Sequence, residues 1–426
     1  MLILINIDDI NVDQRRRGMQ GENMTPLTHN QTDPSGAEQP DRSTTTFKAP
    51  PGLKGLEVAE TNVGTVRGDA GLYHYRGHNA AEFSRHASFE GVVALLHDAP
   101  ATGSNDIEVQ RMLGAGRASV APDAIGGWWH NLNGSRPRET TSQTLIAPLV
   151  AALLATVDNR PTTDMTADER RAACVQAIAI APTVLAGSWR RANDLDPLPA
   201  DPGAGHAADY VQMITGRTPL PVVARAVEVY LNLTAEHGFN ASTFATRVIT
   251  STGGSVPFAL SGGIGALLGP LHGGAPSRVL DMINAIGDPT NAEQWAQSQL
   301  DAGHKLMGFG HAVYRVADPR SAVLKSVAGA MPGSDAQELL ARADEIEQRI
   351  HTVLKRHRPG NTFITNVEYY AAIALFLAGI PQEMFTATFI VSRLVGWTAH
   401  LLEQADNNKI MRPSARYVGP VVDIPR

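Results

Sequence analysis

"TADERRAACVQAIAIAPTVLAGSWRR", residues 166–191, decides the fold class. Its apolar residues recur at spacings of three and four, the period of a helix that buries one stripe. The same spacing returns in "NAAEFSRHASFEGVVALLHD" (79–98), "ETTSQTLIAPLVAALLATV" (139–157) and "LPVVARAVEVYLNLTAEHGF" (220–239). Useful runs of β-type alternation are missing from this part of the chain. "DAQELLARADEIEQRIHTVLKRH" (335–357) reads as a charge-laced amphipathic helix. "NVEYYAAIALFLAG" (366–379) and "QEMFTATFIVSRLVGWTAHLLEQAD" (382–406) read as a closing helical pair. The expected fold is mainly α.

Outward from this body the pattern changes. Gly and Pro breakers at "PLPADPGAG" (197–205) and "TGRTP" (215–219) mark joints between helices. In "PGLKGLEVAETNVGTVRGDAGLYHYRGH" (51–78), Val63, Val66, Leu72, Tyr73 and Tyr75 fall around glycine turns, so a small N-terminal β element is expected. Residues 1–50 are polar without a period of 2 or 3.6 and read as a flexible extension. The polar stretch after about 275 reads as a smaller unit inserted in the helical body. The expected division is a large domain over 51–274 and 379–426, and a small domain over 275–378 closing over a cleft.

Composition bounds the function. A chain of 426 residues exceeds one ordinary core. Its formal net charge of -6 gives no sign of a nucleic-acid or polybasic membrane partner. The single cysteine, Cys174, lies on the apolar face of the 166–191 helix and reads as a buried, inert thiol. The start places "MLIL" before acids and arginines, the reverse of a signal peptide, so a cytoplasmic location is expected. The glycine-dense stretch at 251–276 lacks P-loop and GxGxxG context; close backbone approach around a site suits it best.

Chemistry-bearing residues collect in a few phrases. "AEHGFNAS" holds His237, "GPLHGGAP" His272, "MGFGHAVYRVADPR" His311, Arg315 and Arg320, and "ITNVEYY" Glu368; Arg393 and Arg412 follow in "IVSRLVGW" and "IMRPSARY". Taken singly, His237 suits a helix C-terminal cap, and Arg315 and Arg320 suit pairing with Asp318 or nearby glutamates. A guanidinium at Arg393, flanked by Val391, Leu394 and Val395, needs a polar cavity or an anion. No HxH or HExxH spacing supports a metal, so none is expected. Collectively the set suits a multiply anionic substrate: arginines clamp carboxylates, neutral histidines donate to a developing enolate or alkoxide, and a carboxylate removes a carbon-bound proton. Asn366 can cap the helix that starts there, placing Glu368 at its second position, where an acid is held ionised.

From about 51 to 424 the chain resembles the citrate synthase family. The resemblance rests on "TVRGDAGLYHYRGH", "DPGAGHAADYVQMITG", "EHGFNAST", "GPLHGGAP", "MGFGHAVYRVADPR", "NVEYYAA", "MFTATFIVSRLVGWTAHLLEQ" and "KIMRPSARYVGP", in the family's order. It implies a two-domain, nearly all-α homodimer that condenses acetyl-CoA or a related acyl-CoA with oxaloacetate and hydrolyses the thioester, with no permanently bound cofactor. His272 would hold the thioester oxygen, His311 would protonate the oxaloacetate carbonyl, and Glu368 would take the α-proton. His237, Arg320, Arg393 and, from a second subunit, Arg412 would hold carboxylates. Coenzyme A would lie on Lys305, Leu306, Met307, Gly308, Phe309 and Gly310, with Arg315 near its phosphates.

In the family's usual form the base is an aspartate, whereas this chain has Glu368. An extra methylene advances the carboxylate by about 1.5 Å, and about 1 Å of misplacement can cost roughly a hundredfold in rate. A compensating backbone shift, a pocket remodelled for a different substrate, and impaired condensation all stay open. So do a 2-methylcitrate synthase using propionyl-CoA, a specialised condensing enzyme and a non-catalytic ligand-binding relative.

Overall fold

The computed structural model describes residues 48–98, 103–134, 140–269, 272, 275–311, 313–359 and 363–420. The expected extension over 1–50 therefore lies, apart from its last three residues, outside the described part. The described residues fall into two units that divide after Val58. The described part of the first, residues 48–58, carries a 3₁₀ turn at Pro51–Leu53.

The second unit opens with three short antiparallel strands in the order β1 (Gly64–Arg67), β2 (Leu72–Tyr75) and β3 (His78–Asn79). Val66 pairs with Tyr73 and Tyr75 with His78. Alternation along β2 turns Tyr73 and Tyr75 into the core, so the expected β element is present and one of its faces is packed.

Helices account for nearly everything else. The first five are α1 (Ala80–His86), α2 (Phe89–Leu96), α3 (Gly103–Ala118), α4 (Pro122–Asn133) and α5 (Ser142–Thr156). The body continues through α6 (Ala167–Ala192), α7 (His206–Thr215), α8 (Pro221–Thr234), α9 (Ala241–Ser251) and α10 (Val256–Leu267). Then come α11 (Ala275–Ile286), α12 (Ala292–Asp301), α13 (Pro319–Gly329), α14 (Ser334–His357), α15 (Val367–Leu377) and α16 (Phe385–Asp406).

The stretch that decided the class is α6. Thr166 and Glu169 close a reciprocal capping box at its start, and its middle, including Cys174, is buried. Burial pushes that thiol well up from its ordinary value, which removes its nucleophilic form. By length and composition α6 and Gln382–Asp406 could cross a membrane, yet 83% and 89% of their apolar windows are buried inside the fold. They are core helices.

Two expectations change. The 79–98 segment is two helices: Ala87 and Ser88 are extended, the Ser88 hydroxyl caps α2, and Arg225 donates to the carbonyls of Arg85 and Ala87 at the break. The glycine-dense stretch serves mainly helix contact. A Cβ at Gly262 would lie 2.2 Å from Ile249 Cδ1, and one at Gly263 would lie 2.5 Å from Thr246 Oγ1, so glycine lets α10 lie against α9. Within that stretch, His272 borders the cleft described next.

Candidate active site

The site begins where α8 stops. Its last carbonyls lack helical partners, and four side chains supply them, the first being Ser392 Oγ, which donates to Leu231 O at 2.5 Å. Tyr75 Oη donates to Asn232 O at 2.8 Å, Tyr73 Oη to Leu233 O at 3.1 Å, and Arg393 Nε to Thr234 O at 2.9 Å. The chain then crosses residues 235–239 to Asn240, whose side chain accepts from Ser242 N and Thr243 N and starts α9. His237 sits in that crossing, three residues past the end of α8, so the cap reading does not hold. Its Nε2 lies 3.0 Å from Tyr314 Oη. Burial, then the nearby Arg320 and Arg393 charges, holds the ring well below its ordinary pKa and therefore neutral.

Ser242, on the first turn of α9, meets His272 Nε2 at 2.9 Å and receives Trp397 Nε1–H at 3.1 Å. Burial, then Arg393, lowers the His272 pKa. His311 is fixed from its own loop: Nδ1 accepts the backbone N–H groups of Val313 and Tyr314, each at 3.0 Å. A neutral ring with an accepting Nδ1 carries its proton on Nε2. That nitrogen lies 3.4 Å from Arg320 Nη2. Burial, with Arg320 beside it, takes His311 down to about 4.

Asp318 joins the two helices that carry the rest of the site. It caps α13, pairs bidentately with Arg320 at 3.0 and 2.9 Å, and accepts Val367 N–H at 3.0 Å from the first residue of α15. Burial alone would raise its carboxyl, but Arg320 overrides this and holds it below the ordinary value. The pairing foreseen for Arg320 is thus real, and Arg320 still lines the cleft. Arg393 is 2% exposed, with its guanidinium 4.6 Å from the Phe389 ring centroid.

Asn366 Oδ1 caps α15 at Glu368 N, 3.0 Å away, so Glu368 does occupy the second helical position. The expectation that this would keep it ionised is corrected. Burial outweighs the cap, Arg320 and Arg278, and pushes the carboxyl up to about 7.

Tyr230, His237, His272, His311, Arg320, Glu368 and Arg393 line one cleft of about 640 Å³, with Val367, Ala371 and Phe389 among its apolar walls. Six of the residues singled out in sequence therefore converge. Arg412 does not: it is exposed on the segment after α16. Lys305 and Arg315 are exposed too, and among the described residues the Arg315 side chain donates to the His311 carbonyl at 3.5 Å. The 305–310 segment is anchored to the start of α15 through Gly310 N to Ile364 O (2.7 Å), Asn366 N to Gly308 O (2.9 Å) and Asn366 Nδ2 to Gly310 O (2.9 Å). Among the described residues no three His, Cys, Asp or Glu side chains group as metal ligands. Tyr314, Ser242, Trp397 and Asp318 complete the site; of these, only the Asp-Pro-Arg phrase carries a local signal, that of a helix start.

A family model described as citrate synthase, C-terminal domain, matches residues 52–414. The chain is 33% identical over 379 residues to citrate synthase of Haloferax volcanii, covering 86% of this chain and 95% of the relative. It is 34% identical over 394 residues to 2-methylcitrate synthase of Mycobacterium tuberculosis, covering 92% and 94%. A solved ternary complex of carboxymethyl coenzyme A and oxaloacetate with citrate synthase from Thermoplasma acidophilum superposes with a TM-score of 0.77 at 25% identity, covering 88% of this chain and 97% of that one.

Proposed function

This chain belongs to the citrate synthase family and is a citrate synthase-type acyltransferase that condenses an acyl-CoA with oxaloacetate; from that premise we propose that its acyl donor is acetyl-CoA and its product citrate. The observation that carries this reading is the meeting of a buried carboxyl tuned to about 7 with three histidines held below their ordinary pKa and two buried guanidinium groups in one cleft.

Glu368, about half ionised at pH 7 in the empty cleft, takes a proton from the thioester α-carbon. Ser242 Oγ lies between Asn240 Oδ1 at 2.7 Å and His272 Nε2 at 2.9 Å; turning its single hydroxyl proton from Asn240 to His272 leaves the ring proton on Nδ1, where it supports the developing enol oxygen. The nucleophilic carbon attacks the oxaloacetate carbonyl, whose oxygen receives the proton of His311 Nε2. Water then cleaves the thioester and releases CoA. Arg320, Arg393 and His237 hold carboxylates, and Arg412 is given across a homodimer. The 305–310 segment, with Arg315 nearby, takes coenzyme A, and residues 275–378 form the small domain that closes.

The choice of acetyl follows from Glu368. Its longer side chain, in a cleft that Tyr230 and Phe389 also line, competes for the space that an additional methyl on the donor would need. Thiol release with oxaloacetate and acetyl-, propionyl- or butyryl-CoA tests this. The highest kcat/KM is expected for acetyl-CoA. A higher value for propionyl-CoA would replace the reading with 2-methylcitrate synthesis, and no release from any donor would remove condensation altogether.

A further inference from the structure

Arg320 and Arg393 face the same cleft but are neutralised differently. Arg320 has the bidentate Asp318. Among the described residues no carboxylate makes a direct ion pair with Arg393, whose Nε is spent on the Thr234 carbonyl. A buried guanidinium in that state is costly unless a negative charge lies close by.

Glu236 supplies one. It is two residues beyond Thr234, directly before His237, and only 1% exposed. Its backbone N–H reaches Tyr75 Oη at 3.3 Å. Its carboxylate lies against α16, where a Cβ on Gly396 would come within 2.5 Å of Oε2, and Gly396 N–H donates to Ala235 O at 3.1 Å. Gly396 follows Arg393 by three residues and shares its side of α16, so acid and guanidinium flank one helical turn. The Arg393 pKa is drawn down by burial, and Glu236 is the largest influence opposing that.

The back of Glu236 is also built. His400 Nε2 lies 3.3 Å from Oε1, though out of line for a hydrogen bond. Arg247 Nη1 donates to His400 Nδ1 at 3.1 Å, so Nδ1 accepts and the ring N–H is on Nε2, the nitrogen nearer Glu236. Arg247 is held in turn by Glu403 and Gln404 at 2.6 and 2.9 Å.

We propose that Glu236 is a positioning residue for the condensation: it is the counter-charge that keeps Arg393 in place while the cleft is empty, and it moderates how tightly Arg393 grips the substrate carboxylate. This rests on Arg393 binding a carboxylate of oxaloacetate. The acid stays in place when the dianion arrives and repels it, so part of the attraction of Arg393 is already cancelled before binding. Stability of the empty protein and tightness of substrate binding are thereby traded against each other at one side chain.

Glu236→Gln tests this in the full-length protein. The melting temperature without ligand should fall. The KM for oxaloacetate and the inhibition constant of citrate should drop at least tenfold, since at an effective dielectric of about 20 two unit charges couple by that factor even at about 12 Å. Glu236→Asp, which keeps the charge, should restore parental values. A Gln variant with unchanged or raised oxaloacetate KM would overturn the proposal, because a purely structural role predicts that result. If the Gln variant folds only when oxaloacetate or citrate is present, the anion is supplying the missing charge and the proposal stands; failure to fold with either anion refutes it. Arg393→Lys separates the two readings: with Glu236 intact it should raise oxaloacetate KM, and no change there would remove the premise together with the inference.

Discussion

Replacing Glu368 by glutamine should make the protein more stable at pH 8 and leave it unchanged near pH 4. Burial moves this carboxyl from 4.5 up to about 7 in the folded chain. Between those values the folded protein keeps a proton that the unfolded chain has released, so stability falls as pH rises through the window and the loss is complete above about 7. At about 1.4 kcal/mol per unit, the penalty is about 3 kcal/mol at pH 8. Glutamine mimics the protonated acid and has nothing to ionise. With a per-residue unfolding entropy of about 2.1 cal/mol/K, a chain of this length converts the difference into roughly 4 °C. His311, held down at about 4, acts in the opposite direction: both proteins lose stability as pH falls from 6.5 towards 4, and this cancels in the comparison. Melting temperatures of the two proteins, unliganded and at equal concentration, should therefore diverge from about pH 4.5 to about pH 7 and then run parallel to pH 8. The variant should also lose about 10²–10⁴-fold in kcat, the usual value of a positioned base. Parallel pH profiles would refute the burial argument, and full condensation activity in the variant would remove Glu368 from the chemistry.

Two other outcomes are expected. Gly308 has φ +81°, and a Cβ there would lie 2.8 Å from Tyr369 Cδ2; Gly308→Ala should destabilise by about 1–3 kcal/mol and raise the KM for acyl-CoA while leaving that for oxaloacetate unchanged in steady-state kinetics. If Arg412 is given across a homodimer, Arg412→Ala and Glu368→Gln proteins, each inactive alone, should recover about a quarter of parental activity after co-refolding at equal amounts, since half the dimers are mixed and each mixed dimer has one intact site. No recovery would place Arg412 in its own subunit's site or in none.

The helical body was legible because apolar residues recur locally at spacings of three and four, although the helix around Cys174 turns out to be buried on every side from Ala173 to Ser188 apart from Gln176. The break at Ala87 and Ser88 was not, because Arg225 enforces it from a distant helix. His237, His272, His311, Arg320, Glu368 and Arg393 could be gathered from motifs, but their protonation could not. The tautomer of His311 depends on two backbone N–H groups of its own turn, and the ring of His237 on Tyr314, 77 residues away. Glu368 shows the limit most clearly: its cap is readable in Asn366, whereas the burial that overrides the cap is assembled from separate helices.

Asp318 makes one rigid ruler of what would otherwise be two adjustable parts. Because the same carboxylate grips Arg320 and the first N–H of α15, the spacing between the guanidinium proposed to bind oxaloacetate and the backbone of the proposed base is set before either substrate enters. A base one methylene longer cannot be accommodated by sliding α15 back without loosening Arg320. The slack has to be found on the thioester side of the cleft, so relatives that exchange aspartate and glutamate at this position should differ first in how they seat the acyl group, and least in how they hold the keto acid.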